Sequence, residues 1–367
     1  MGRRQGSLES VGMNNAFWEG RKVFLTGHTG FKGSWLALWL SRMGAEVHGY
    51  ALQPPTDPSM FELLGLEREL AGHHIADIRN GERLTHALRE SSAEIVFHLA
   101  AQPLVRASYV RPLETLDVNI MGTAHLLEAV RQAGGVRSVV VVTSDKCYEN
   151  REWVWPYREI EALGGHDPYS ASKAGTEIVA SAYRASFFAP EGDCAVATAR
   201  AGNVIGGGDF AEDRLLPDLF RAHWAQQPIR LRSPAAVRPW QHVLEPLHGY
   251  LLLAQRLYED GPRFAGAWNF GPWERDARNV QWIVEYMAEH LPGFRWTRDE
   301  NPQPHEAHTL RLDSSKARLQ LGWQPAWSLE QALQRTLDWH LAQQDGSVLL
   351  PISLEQISEY ESAACQG

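Results

Sequence analysis

Tyr169 and Lys173 stand four residues apart in DPYSASKAGTE, and a scan of all ten tyrosines finds no other with a lysine at that spacing. At the start of a helix, this places both side chains on one face. A phenol is a poor base at neutral pH, but an ammonium one turn away favours the phenolate and lowers its pKa. Such a pair can take the proton of a hydroxyl while hydride leaves the attached carbon. The chain has only five lysines among its 35 basic residues. Lysine at 173 and again at 146 therefore suggests positions where arginine would not serve, since lysine can lose its proton and arginine cannot.

A second cluster ends the stretch VVVVTSDKCYEN, residues 139–150. Four valines ask for burial, whereas Ser144, Asp145 and Lys146 ask for water or for partners. Chemistry at the carboxyl end of a central parallel strand reconciles the two. A third cluster, TGHTGFKG, follows the first apolar run and opens a helix-length segment. Gly27, Gly30 and Gly33 allow a tight turn and let the backbone approach a pyrophosphate, which helix N–H groups would then meet. The acid usual after the second strand is missing: Ala51-Leu52-Gln53-Pro54 carries neither a carboxylate for a ribose hydroxyl nor an arginine for a ribose phosphate. NAD and NADP are not separated by this segment. Asp77, in IADIRN, is placed to meet the adenine or ribose side and can equally cap a helix.

These residues need a scaffold, and the apolar pattern supplies one. Short runs at 22–26, 46–50, 94–99, 138–143 and 194–199 alternate with helical segments, the mark of βαβ units. In the first helix Trp35, Trp39 and Met43 form one stripe, and Gly44 ends it. The expected fold is α/β, a Rossmann-type doubly wound parallel sheet with a second, smaller substrate-binding domain. The expected boundaries are a disordered tail over 1–18, a dinucleotide-binding domain over 19–199 with a return segment at about 240–272, a smaller domain over 200–239 and 273–350, and a C-terminal tail over 351–367.

Composition narrows the partners. A net charge of −9 argues against duplex nucleic acid or an anionic membrane surface as main partner. No apolar run is long enough to span a bilayer, and the first residues lack the apolar core of a signal peptide. Three scattered cysteines suit a reducing compartment, so a cytoplasmic location is expected. His305 and His308 form an HxxH pair without a third ligand at metal spacing, so no metal is expected. Cys147 follows the buried strand directly and reads as packing.

With GHTGFKG, Tyr169 and Lys173 in view, the chain resembles the extended short-chain dehydrogenases/reductases. HLAAQPLVRASY, TSDKCYEN, RAGNVIGGGD, RPWQHVLEPL and PHEAH narrow the resemblance to the CDP-glucose 4,6-dehydratases of deoxysugar synthesis. The likeness implies NAD as cofactor, CDP-glucose as substrate and a homodimer built from helices of the larger domain. It implies NAD contacts from Gly27, Thr29, Gly30, Phe31, Gly33, Asp77, Ile78, Ala100, Ala101, Tyr169 and Lys173, and substrate contacts from Gln102, Asn203, Arg238 and His308. It further implies that Tyr169 and Lys173 serve oxidation at C4, that Ser144 polarises C4, and that Asp145 protonates the departing C6 hydroxyl. The related dTDP-glucose dehydratases carry a glutamate after the aspartate as the C5 base. Here Lys146 stands in that place, as the base, as a group orienting the keto intermediate, or as a structural partner of Asp145. A 4-epimerase of the same scaffold would need no Asp-Lys pair, and a silent NAD-binding regulator would lack the tyrosine or the lysine.

Overall fold

The computed structural model describes residues 14–188, 193–299 and 310–366. Seven strands form one sheet: β1 Lys22–Thr26, β2 Glu46–Ala51, β3 Gly72–Ile75, β4 Ile95–His98, β5 Ser138–Val142, β6 Ala195–Ala201 and β7 Gly266–Phe270. Their spatial order is β7-β6-β5-β4-β1-β2-β3, and every pairing is parallel. The winding direction reverses between β1 and β4, which opens a crevice at their carboxyl ends.

The valine run shows how the sheet is buried. Val139 and Val141 point into one core, Val140 and Val142 into the other. Helices Phe31–Arg42, Leu244–Asp260 and Leu349–Ala364 cover one face, and Gly81–Ser91, Gly122–Ala133 and Pro168–Phe187 cover the other. A strand covered twice has no polar side, so its sequence is apolar throughout. The strand β3 has no such run. Its GHHI is only half-buried, and the ladder to β2 places it.

The chain leaves the sheet after β6 and rejoins it through Leu244–Asp260 and β7, which pairs with β6. A separate apolar core, including Ile205, Leu219, Phe220, Trp240, Ile283 and Leu333, gathers beyond the sheet's carboxyl edge.

Both expected tails need correction where they are described. Residues Asn15–Trp18 form a short helix whose Phe17 and Trp18 enter the main core, with the Trp18 ring 6.1 Å from that of Phe97. At the other end, Leu349–Ala364 is a helix with Ile357 and Tyr360 fully buried. Tyr360 packs against Trp39 and Trp327 and donates a 2.7 Å hydrogen bond to Glu245. The backbone N–H groups of Ala326 and Trp327 donate to the same carboxyl.

Burial pushes Glu245 up to about 7, and these hydrogen bonds only partly offset the rise. In the unfolded chain the group ionises near 4.5. The stability gained by keeping it protonated is therefore complete below 4.5 and is lost as the pH climbs to about 7. Glu245→Gln keeps an acceptor oxygen for the Ala326 and Trp327 N–H groups, turns an amide N–H toward the Tyr360 oxygen, and removes the ionisation. It is expected to flatten the fall in thermal midpoint over that window and to raise the midpoint at alkaline pH by about 2 °C, as measured by calorimetry.

Candidate active site

The crevice opens into a cavity of about 1020 Å³ whose lining joins the glycine loop, the end of β5, the Pro168–Phe187 helix and the region after β6. The glycine loop is built by close approach. Gly27 has φ +78°, and a Cβ there would meet the Ala100 backbone nitrogen at 2.7 Å. A Cβ on Gly33 would lie 2.0 Å from the Gly27 carbonyl oxygen, so helix and loop touch backbone to backbone. Gly30 is the N-cap of Phe31–Arg42, and no side chain caps that end. The first N–H groups of the helix thus remain available to an anion, and the loop fits a diphosphate.

Thr29 donates to the Leu52 carbonyl at 2.9 Å and holds the loop to the end of β2. Phe31, Ile78, Ala100 and Ala101 line the cavity with it. Asp77 also lines it, with its carboxylate held below the usual range, chiefly by hydrogen bonds from Arg79 at 2.6–3.1 Å.

The Tyr-Lys helix starts where local chemistry dictates. Pro168 occupies its first turn, and Asp167 caps it by accepting the Ser170 N–H at 2.9 Å. Tyr169 and Lys173 are both buried on the cavity wall. Ser144 lies near enough to the Tyr169 hydroxyl to act on its ionisation, and the Lys173 ammonium donates to the Val142 carbonyl at 3.3 Å. Burial pushes Tyr169 up to about 12; the nearby Ser144 hydroxyl dipole opposes this, the Asp145 charge reinforces it, and the Arg214 charge opposes it. The expected lowering of this phenol by Lys173 is not what the structure shows, because burial outweighs the neighbouring donors. Burial also brings Lys173 down to about 8, against the pull of Glu177.

After β5 the chain makes one tight turn, Asp145–Cys147, capped by the Ser144 hydroxyl, which accepts the Lys146 N–H at 3.2 Å and donates to Asp145 Oδ1 at 2.9 Å. Asp145 is 2% exposed, and its Oδ2 has no hydrogen-bond partner among the described residues. Burial raises its pKa; the charges of Lys146 and Arg238 and the Ser144 hydrogen bond oppose the rise. A carboxyl in this position holds its proton more readily than a solvated one and can give it up to a leaving group. Lys146 is half-buried on the same wall. Cys147 is fully buried with its thiol raised well above 9, as expected of packing.

Asn203 and Arg238 line the far side of the cavity, and Arg238 is close enough to act on the charge of Asp145. Gln102 is the exception. Its side chain bonds to Leu104 and Thr115, and its N–H donates to Asn119, so it braces a loop and does not line the cavity. His305 and His308 lie outside the described residues. Three residues escaped the sequence analysis. Lys32 lines the cavity, its amine 5.9 Å from the Tyr250 ring and brought down to about 7 by burial and by the charges of Arg214 and Lys173. The lysine scarcity that marked positions 146 and 173 applied equally to it. Arg214, paired with Asp209 at 2.9 Å, completes the wall, and Tyr250, whose buried hydroxyl lacks a partner among the described residues, lies behind Lys32; no local motif announces either.

A parallel sheet with this winding, a glycine loop on its first strand and a buried Tyr-Lys helix beside the crevice define an extended short-chain dehydrogenase/reductase. Residues 24–336 match the GDP-mannose 4,6 dehydratase family, and the chain belongs to that family. It is 55% identical to the CDP-glucose 4,6-dehydratase of Salmonella typhimurium over 95% of this chain and 98% of that protein. Its identity to a dTDP-glucose 4,6-dehydratase of Xanthomonas campestris is 25%, over 73% of this chain and 78% of that one. Among solved structures, MoeE5 in complex with UDP-glucose and NAD superposes with a TM-score of 0.75 at 25% identity, covering 88% of this chain and 99% of that one.

Because a Cβ at residue 33 has nowhere to go without moving backbone, Gly33→Ala is expected to weaken NAD binding by about tenfold or more. Quenching of tryptophan fluorescence on titration with NAD measures it.

Proposed function

We propose that the chain converts CDP-D-glucose to CDP-4-keto-6-deoxy-D-glucose, using NAD. The observation that carries this reading is Asp145, a buried carboxyl with one oxygen unpartnered among the described residues, next to Ser144 and Tyr169 on the cavity wall. Oxidation alone, or epimerisation, leaves no work for such an acid, whereas loss of water does. The 55% identity to the Salmonella typhimurium enzyme supports the same substrate.

In this reading the glycine loop and the N-terminus of Phe31–Arg42 hold the dinucleotide diphosphate, with Asp77 and Ile78 at its adenosine end. Asn203 and Arg238 grip the substrate diphosphate; a guanidinium suits this because its fork can hold two oxygens at once. When bound, NAD supplies a hydride acceptor for C4 and returns that hydride to C6. Tyr169 takes the C4 hydroxyl proton, with Ser144 beside it and the positive charges of Lys173 and Arg214 favouring its anion. The resulting ketone acidifies C5. Lys146 removes the C5 proton while Asp145 gives its own to the C6 hydroxyl, which leaves as water. C5 regains a proton as C6 receives hydride. A second reading of the base rests on Lys32, whose amine faces the same cavity and is down at about 7.

The assembly we propose is a homodimer. Val110 and Leu113 are each 80% exposed and Ile178 is 60% exposed, apolar side chains that helices of the larger domain leave uncovered. A cytoplasmic location suits three cysteines that are all free thiols. No helix among the described residues is long and apolar enough to cross a membrane.

Incubated with CDP-glucose in deuterium oxide, the protein is expected to form a 4-keto-6-deoxy sugar carrying deuterium at C5. A galactose product would indicate an epimerase, and unchanged substrate a binding protein; parallel reactions with dTDP-, GDP- and UDP-sugars test the base preference. Lys146→Met is expected to cut C5 exchange by about a hundredfold. Undiminished exchange in Lys146→Met, with loss in Lys32→Met, would move the base to Lys32.

A further inference from the structure

Glu177 lies one turn beyond Lys173 on the same helix and touches no part of the cavity. Its side chain is 3% exposed, yet each carboxylate oxygen accepts two hydrogen bonds. Arg200 Nε donates to one oxygen at 2.9 Å and Arg200 Nη2 to the other at 2.7 Å; Thr143 adds 2.6 Å and Thr198 2.7 Å. Burial alone would raise this carboxyl, but the Arg200 bonds and charge, with the threonines, hold it below its ordinary value. It is ionised.

The identity of the donors is informative. Thr143 immediately precedes Ser144. The third nitrogen of Arg200, Nη1, donates at 2.7 Å to the hydroxyl of Tyr148, which immediately follows Cys147 and in turn donates to Asn269 at 2.8 Å. The turn that carries Asp145 and Lys146 is therefore gripped at both ends by one ion pair. Val142, one residue earlier, accepts from Lys173. Exchanging a buried ion pair for apolar residues is often neutral for stability, so stability alone does not account for this arrangement at this place.

We propose that Glu177, locked by Arg200, is a positioning residue for the dehydration: it pins the Ser144–Cys147 turn to the Tyr-Lys helix and sets a fixed negative charge one turn from Lys173. The inference rests on the roles given above to Asp145 and Lys173. Around Lys173 stand Glu177 on its own helix, Cys147 on the turn, His98 at the end of β4 and Lys32 on the glycine-loop helix. The histidine and both cysteine and lysine neighbours are themselves driven toward their neutral forms by burial. Glu177 is the fixed counter-charge in that set. Without it Lys173 sheds its proton at lower pH, and the cation that supports the Tyr169 anion is lost sooner.

The test compares Glu177→Gln, Thr143→Val and Tyr148→Phe with the unaltered protein, following kcat and KM for CDP-glucose from neutral to alkaline pH, with circular dichroism to measure the folded fraction. Glu177→Gln is expected to shift the alkaline limb of kcat down by about one pH unit. Thr143→Val and Tyr148→Phe loosen the turn and keep the charge, so kcat should fall about tenfold with KM within about twofold and the limb in place. An unmoved limb in folded Glu177→Gln overturns the electrostatic role. Full kcat in both conservative variants overturns the clamp, and overturns the positioning role whether or not Glu177→Gln folds. An unaltered protein inert towards CDP-glucose would overturn the reaction itself, and the inference with it, before any variant is compared.

Discussion

Taking a carboxylate out of water costs several kcal/mol unless it is paired, hydrogen-bonded or protonated, and this constraint shapes the whole molecule. Glu177 meets it with Arg200 and two threonines and stays charged. Glu245 meets it by keeping its proton near neutral pH while anchoring Ala326, Trp327 and Tyr360. Asp145 is met least fully, with one oxygen bonded to Ser144 and the other bare. That incomplete satisfaction is what separates a group available for proton transfer from two that serve the framework.

The lysines mirror this arrangement. Burial lowers Lys32 to about 7 and Lys173 to about 8, so cations that would be permanent in water become titratable near the working range. Glu177 restrains that fall for Lys173, and Asp145 restrains it for Lys32. The phenol of Tyr169 moves the other way, up to about 12, for the same reason. Asp145, Lys32, Lys173 and Tyr169 thus share one wall, and burial displaces each toward its neutral form. Charge that develops during the reaction is then met by fixed groups of the protein instead of by water.

The sheet makes this wall possible. Parallel strands end together at the reversal between β1 and β4, and their carboxyl ends bring together residues 27–33, 100–101 and 142–146. Helices on both faces keep the strands rigid and dry up to the last valine. The core beyond the sheet edge then closes the crevice with Asn203, Arg214 and Arg238.

The amino-acid order by itself determined what rests on near neighbours: the glycine loop, the four-residue Tyr-Lys spacing, the Ser-Asp pair after an apolar strand, and strands long enough to show a run. It could not place β3, whose four residues carry two histidines and pair only because β2 lies beside them. Nor could it reveal that the C-terminal segment is packed, since Tyr360 finds Glu245 and Trp39 only in three dimensions. Gln102 lay beside a legible motif, yet its amide was already committed to Leu104 and Thr115. The pKa of Tyr169, the approach of Lys32 to Asp145, and the grip of Glu177 and Arg200 on both ends of one turn were decided by tertiary structure. The reason is physical: burial, and the distance between charges far apart in the chain, are properties of the folded surface and not of local order.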